Sequence, residues 1–128
     1  MSLTVCPGEL YFCSLCVREI YIKGFEICVK ESDPKLIMTS YNIINGTYAS
    51  ENAELLEGIL RREWGYKGLI TTDWHNWANH TNEVVAGNDI KMPNLIKDGK
   101  FVDTVEGVDR NRLAICVKRL LEMILWIE

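Results

Sequence analysis

Apolar residues recur along this chain at two spacings, and the switch between them predicts an order of helices and strands. Over 14–30, Tyr21, Phe25, Cys28 and Val29 fall at i, i+4, i+7 and i+8, one face of a helix. Asp33-Pro34 ends that helix, because proline lacks a donor and disfavours helix in the residue before it. Residues 36–41 are short, apolar and β-leaning, a strand that runs into a polar loop over 42–51. A second helix starts near Asn52, a good N-cap. Leu55, Leu56, Ile59 and Leu60 supply its buried stripe, and Gly65 is placed to end it. Residues 68–73 form a nearly continuous apolar run, the pattern of a parallel strand buried on both faces. A loop or short helix through 78–85 leads to a third, weaker strand over 88–92, closed by Pro93-Asn94. The last helix, over 108–127 with Asp109 as cap, carries a stripe of Leu113, Cys116, Val117, Leu120, Leu121 and Ile124.

Three strands alternating with about four helices define an α/β chain, and right-handed crossovers make the strands parallel. There is no internal repeat and no low-complexity segment. The expected organisation is one domain over 1–128.

Composition adds bounds. The chain has 128 residues, 48% hydrophobic and 25% charged, which is ordinary for a globular domain with one core. A net charge of −4 supplies no electrostatic reason for a nucleic-acid or anionic-membrane partner. No apolar run reaches the roughly 18 to 20 residues of a transmembrane helix. Met1 to Leu15 shows neither a basic n-region nor a small-residue cleavage site, so no signal peptide is read and the expected compartment is the cytoplasm. Five cysteines (Cys6, Cys13, Cys16, Cys28 and Cys116) cannot all pair, and are expected to be reduced and mostly buried. Cys13 and Cys16 form a C-x-x-C with no second pair to complete a zinc site, so neither metal nor cofactor is expected.

In βα units, functional groups collect where the strands end and the loops converge. That rule selects Met38 and Tyr41, then Asp73, Trp74 and His75, then Asp89 and Met92. One carboxylate beside aromatic and thioether surface suits a sugar, whose C–H face stacks on a ring while its hydroxyls bind acids and amides. The same residues admit a plainer reading, in which Tyr41 and Trp74 pack the rim and Asp73 caps the next helix.

Several of these runs, in order, resemble the barrel domain of glycoside hydrolase family 3. They are Arg18-Glu19-Ile20-Tyr21-Ile22-Lys23-Gly24-Phe25-Glu26, Ile37-Met38-Thr39-Ser40-Tyr41-Asn42, and Asn45-Gly46-Thr47-Tyr48-Ala49-Ser50-Glu51-Asn52. The series continues with residues 60–69, Thr71-Thr72-Asp73-Trp74, and Ala86-Gly87-Asn88-Asp89-Ile90-Lys91-Met92-Pro93. The likeness spans 17–93 closely and the last helix loosely, leaving 1–16 unmatched. It implies a partial (β/α)8 barrel of the β-glucosidase type, a β-glucoside or oligosaccharide as substrate, and Asp73 as nucleophile of a retaining hydrolysis. It also implies that Tyr41 and Trp74 line the sugar subsite, with Met38 towards the aglycone. Arg61, Trp64 and Gly65 match positions read as structural.

The departures are as specific. The family's Lys-His pair and the Asp and Arg that hold glucose hydroxyls have no counterpart here, and its acid/base is usually a Glu from a following domain. His75 and Glu51 are the substitutes within reach, Glu51 otherwise capping the second helix, while Asp89 reads as a structural hydrogen-bonding residue. A complete barrel needs about 250 residues. Two functions are therefore expected: a β-glucosidase segment incomplete in this chain alone, or an inactive truncated α/β piece. Part of a barrel leaves open sheet edges, so a second copy or a complementing barrel half is the expected partner.

Overall fold

The computed structural model of the chain describes residues 13–93 and 105–127. The first helical stretch is not one rod. A short α1 (Ser14–Cys16) passes through one π-wound turn (Val17–Tyr21) and is re-aimed at Ile22 before α2 (Lys23–Ser32). Asp33 takes a left-handed conformation at φ 44° and ends α2, one residue before the proline.

Strand β1 (Leu36–Thr39) pairs in parallel with a later strand, and between them the polar loop folds on itself. Ile43–Ile44 (β2) and Thr47–Tyr48 (β3) form a small antiparallel hairpin, which the periodicity does not predict. Asn45 and Gly46, both at positive φ, make its turn. The next helix, Glu54–Glu63, is wound with bonds five residues apart, such as Trp64 N–H to the Ile59 carbonyl at 3.0 Å. Asn52 caps it as expected, its Oδ1 accepting from Leu55 N–H at 3.0 Å, and Gly65 leaves it at φ 77°.

Strand β4 (Leu69–Thr72) is buried throughout and lies beside β1 with Leu36 opposite Leu69 and Thr39 opposite Thr72. Gly68 precedes it for a steric reason: a Cβ there would sit 2.6 Å from the Lys35 carbonyl oxygen. Then follow α3 (His80–Ala86) and, after the segment not described, α4 (Arg110–Ile127).

The expected third strand is reduced to one parallel bridge between Thr71 and Ile90. Side chains take over the flanking ladder positions. Ile70 N–H donates to Asp89 Oδ2 at 2.9 Å, and Met92 N–H donates to Thr72 Oγ1 at 2.9 Å. The chain is thus mixed α/β, with a partial parallel sheet of two strands, β1 and β4, where three were expected among the described residues.

One helical layer packs on one face of this sheet. Val29, Leu56, Leu60, Tyr66, Ile70 and Ala86 form the core, with Ile37, Leu55 and Trp64 against it. The other face of β1 is open, and Leu36 and Met38 are exposed on it. Two apolar stripes fare differently from expectation. Of the first, only Val29 is buried, while Tyr21, Phe25 and Cys28 are exposed; Tyr21, Phe25 and Val29 border a cavity of about 480 Å³ along the free edge of β1. Of the last helix's stripe only Cys116 is buried. The inward face of α4 is instead Arg112, Cys116 and Arg119, drawn down by carboxylates on the layer beneath. No helix among the described residues is long and apolar enough to cross a membrane.

Candidate functional site at the carboxyl ends of the strands

Strands β1 and β4 end side by side, and the residues that follow them meet. Met38 lies opposite Thr71 in the ladder, so the two share a sheet face, and alternation carries that face on to Asp73. Asp73 is half-buried. Its Oδ1 accepts from Trp74 N–H at 2.7 Å, and its carbonyl accepts from Thr72 Oγ1 at 3.1 Å. Tyr41 reaches over from the loop after β1 and donates its hydroxyl to the Trp74 carbonyl. Lost hydration and the adjacent Asp73 carboxylate together push the Tyr41 phenol above its ordinary value.

Tyr41, Asp73 and Trp74, singled out from the sequence, therefore come together, with Met38 on the same face. Trp74 is half exposed, and its ring lies 6.4 Å from that of His75 with the planes tilted by 56°. Asp73 does not cap the next helix. That role belongs to Asn79, whose Oδ1 accepts from Asn82 N–H at 3.1 Å.

Behind the site lies a buried polar network that no periodicity marks. His75 adopts a left-handed backbone at φ 57°, which reverses the chain and buries Asn76. Asn76 Nδ2 donates to Glu83 Oε1 at 2.7 Å and to Ser50 Oγ at 2.9 Å. Lys91 Nζ donates to Glu83 Oε2 at 2.9 Å and to the Ala78 carbonyl at 2.9 Å. Asn88 Nδ2 donates to the Ser50 carbonyl at 2.5 Å, and the Thr39 hydroxyl donates to Asn88 Oδ1 at 3.4 Å. Burial raises the Glu83 carboxyl above its ordinary value, with Lys91 pulling the other way. The network ties the loops after both strands to α3, and so holds the backbone that presents Asp73.

Other acids are committed elsewhere. Glu51 does not cap the second helix; it is half-buried, and its Oε1 accepts from Asn79 N–H at 2.5 Å. Asp89 behaves as the structural residue expected of it. Its Oδ2 accepts from Arg61 at 2.7 Å and its Oδ1 from Arg119 at 2.9 Å, with its side chain 0% exposed. Arg61 also donates to the Gly68 carbonyl at 2.9 Å, which locks the entry to β4. The cysteines depart from expectation: Cys13 and Cys28 are exposed, Cys16 is half-buried, and Cys116 alone is buried, while Cys6 lies outside the described residues. No cluster of three or more His, Cys, Asp or Glu suited to a metal is present among the described residues.

The class the structure defines is a partial parallel α/β fold, with one carboxylate presented beside a phenol and an indole where its strands end. The chain belongs to glycosyl hydrolase family 3: its N-terminal domain model matches residues 15–94. β-Glucosidase A of Butyrivibrio fibrisolvens is 54% identical over 76 residues, covering 59% of this chain and 9% of that protein. β-Glucosidase B of Emericella nidulans is 40% identical over 115 residues, covering 80% of this chain and 14% of that protein. β-Glucosidase 3B from Thermotoga neapolitana, solved in complex with glucose, superposes with a TM-score of 0.76 at 35% identity, over 85% of this chain and 17% of that one. The chain spans less than a fifth of the length of each of these proteins.

Proposed function

We propose that this chain is the nucleophile-bearing part of a family 3 β-glucosidase barrel, acting on terminal β-D-glucosyl residues. The observation that carries the reading is the setting of Asp73 at the end of β4, with Oδ1 held by the Trp74 amide and the Tyr41 phenol beside it. A carboxylate held in this way is oriented for attack on an anomeric carbon, forming a glycosyl-enzyme ester as the aglycone oxygen departs; water then cleaves the ester. Trp74 offers its indole to the sugar's C–H face, Tyr41 bounds the subsite, and exposed Met38 lies towards the aglycone. The β-glucosidase names of the relatives, and the glucose in the Thermotoga neapolitana structure, support this substrate class.

A retaining hydrolase needs a second carboxyl group about 5 to 5.5 Å from the first. Glu51, Glu83 and Asp89 are each bound to amides or cations of the fold. The family resemblance implies an acid/base supplied by a Glu of a following domain, and a complementing barrel half is the proposed partner. General acid help is worth about 10²–10⁴-fold, so the chain alone is slow on poor leaving groups.

The test is turnover of an activated aryl β-glucoside, whose leaving group needs little protonation, by the chain and by Asp73→Asn. Release that exceeds the blank and disappears in Asp73→Asn supports the assignment. Equal background in both removes it.

The open face of β1 and its apolar cavity favour a second reading, an inactive segment that persists by association. Sedimentation of the purified chain addresses it, since a strictly monomeric profile would count against that reading.

A further inference from the structure

The C-x-x-C at the start of the described chain has no part in glycoside chemistry, yet its geometry is specific. The Cys13 and Cys16 sulfurs lie 2.8 Å apart in a thiol–thiol hydrogen bond. Cys13 also caps α1, its sulfur accepting from Cys16 N–H at 3.2 Å. Closing a disulfide, whose bond is about 2.05 Å long, asks the two sulfurs to approach by less than ~1 Å. Cys13 is exposed, so a small oxidant reaches it without unfolding the chain.

We propose that Cys13 and Cys16 form a reversible dithiol–disulfide site that exchanges with low-molecular-weight disulfides. The Cys13 thiolate attacks one sulfur of the small disulfide, making a mixed disulfide and expelling one thiolate. Cys16 then attacks the Cys13 sulfur, closes the Cys13–Cys16 bond and releases the second small thiol. Two electrons pass from the cysteine pair to the small disulfide, and the two cysteine protons end on the two released thiols. The order of attack follows from the asymmetry of the pair. Cys13 is exposed and accepts the Cys16 amide N–H on its sulfur, which favours its thiolate, whereas Cys16 is half-buried. Closure would staple the first helical turn, whose next residues carry Arg18 to Glu63 on the helix beyond.

The experiment is equilibration of the whole chain in glutathione buffers of graded ratio, followed by alkylation and peptide mass mapping. A Cys13–Cys16 disulfide is expected as the main product, forming at a ratio about tenfold less oxidising than in the urea-unfolded chain. Cys16→Ser is expected to trap glutathione on Cys13, and Cys13→Ser to leave Cys16 reacting more slowly. Pairing of either residue with Cys6 or Cys28, separate glutathionylation of both, or equal midpoints with and without urea would overturn the proposal. The midpoint comparison uses the unmodified sequence, so it stands even where a variant does not fold.

Discussion

Tyr41 and Trp74 stand 33 residues apart in the chain and are joined by one hydrogen bond, from the phenol to the tryptophan carbonyl. That bond couples the two loops whose side chains surround Asp73. Tyr41→Phe keeps the ring and removes the donor. We expect a loss of about 0.5–1.5 kcal/mol in urea unfolding, the ordinary net worth of such a bond. Where the chain turns over an aryl glucoside, the same substitution is expected to lower kcat more than it raises KM, since the loop that orients Asp73 is loosened.

Asp89 sits buried between two guanidinium groups, at 2.7 Å from Arg61 and 2.9 Å from Arg119. Asp89→Asn leaves both arginines with only the more distant Glu57, at 3.8 Å from each, in a site with little water. The expected cost is about 3–5 kcal/mol, a large share of the roughly 5–15 kcal/mol that holds a domain together. Urea denaturation followed by tryptophan fluorescence reads it. A loss below ~1 kcal/mol would show that the network is solvated.

Lys91 and Glu83 form a second buried pair, with side chains 3% and 0% exposed. Lys91→Met strands the Glu83 carboxylate and is expected to destabilise by about 3–5 kcal/mol. Adding Glu83→Gln removes the stranded charge, so the double variant should be more stable than Lys91→Met alone. A double-mutant cycle in urea measures the difference, and simple additivity would refute the coupling.

Glu26 bridges Lys23 at 2.8 Å and Lys30 at 2.6 Å on α2, and these ammonium groups lower its carboxyl to about 2 from an ordinary 4.5. A carboxyl lowered in the folded state contributes stability above its unfolded value, and that contribution fades as pH falls towards the folded one. The helical midpoint of the chain should therefore drop between about pH 4.5 and about pH 2. Glu26→Gln should flatten that part of the profile and leave the neutral-pH end of the curve lower. A profile of unchanged shape would place the titrating group elsewhere.

The main helices, strands β1 and β4 and the position of the candidate site were legible because all are local. Asn52 and Gly65 mark the ends of a helix by their own backbone chemistry, and Leu69 to Thr72 read as a buried parallel strand from their apolar run alone. The place where a parallel strand ends locates polar side chains without any knowledge of their partners, so Tyr41, Asp73 and Trp74 could be named together.

Periodicity, by contrast, records which side chains share a face and is silent on whether a second layer covers it. Tyr21 and Phe25 share a face with Val29, yet only Val29 has the core above it. On α4 the apolar stripe lost its place to Arg112 and Arg119, because buried Asp89 and partly buried Glu57 attract guanidinium groups more strongly than an open surface attracts leucine. The third strand stops at one bridge because the Asp89 and Thr72 side chains take the hydrogen bonds on either side of it.

The sequence by itself determined the family, the alternation of the main helices with β1 and β4, and the carboxylate presented at the end of β4. Only the tertiary structure decided how that carboxylate is held, which acids are committed to the fold, and which apolar faces stay open. The reason is one of range: caps, turns and hydrophobic period act over a few residues, whereas the Ser50–Asn76–Glu83–Lys91 network joins groups dozens of residues apart and exists only once β1 and β4 lie side by side.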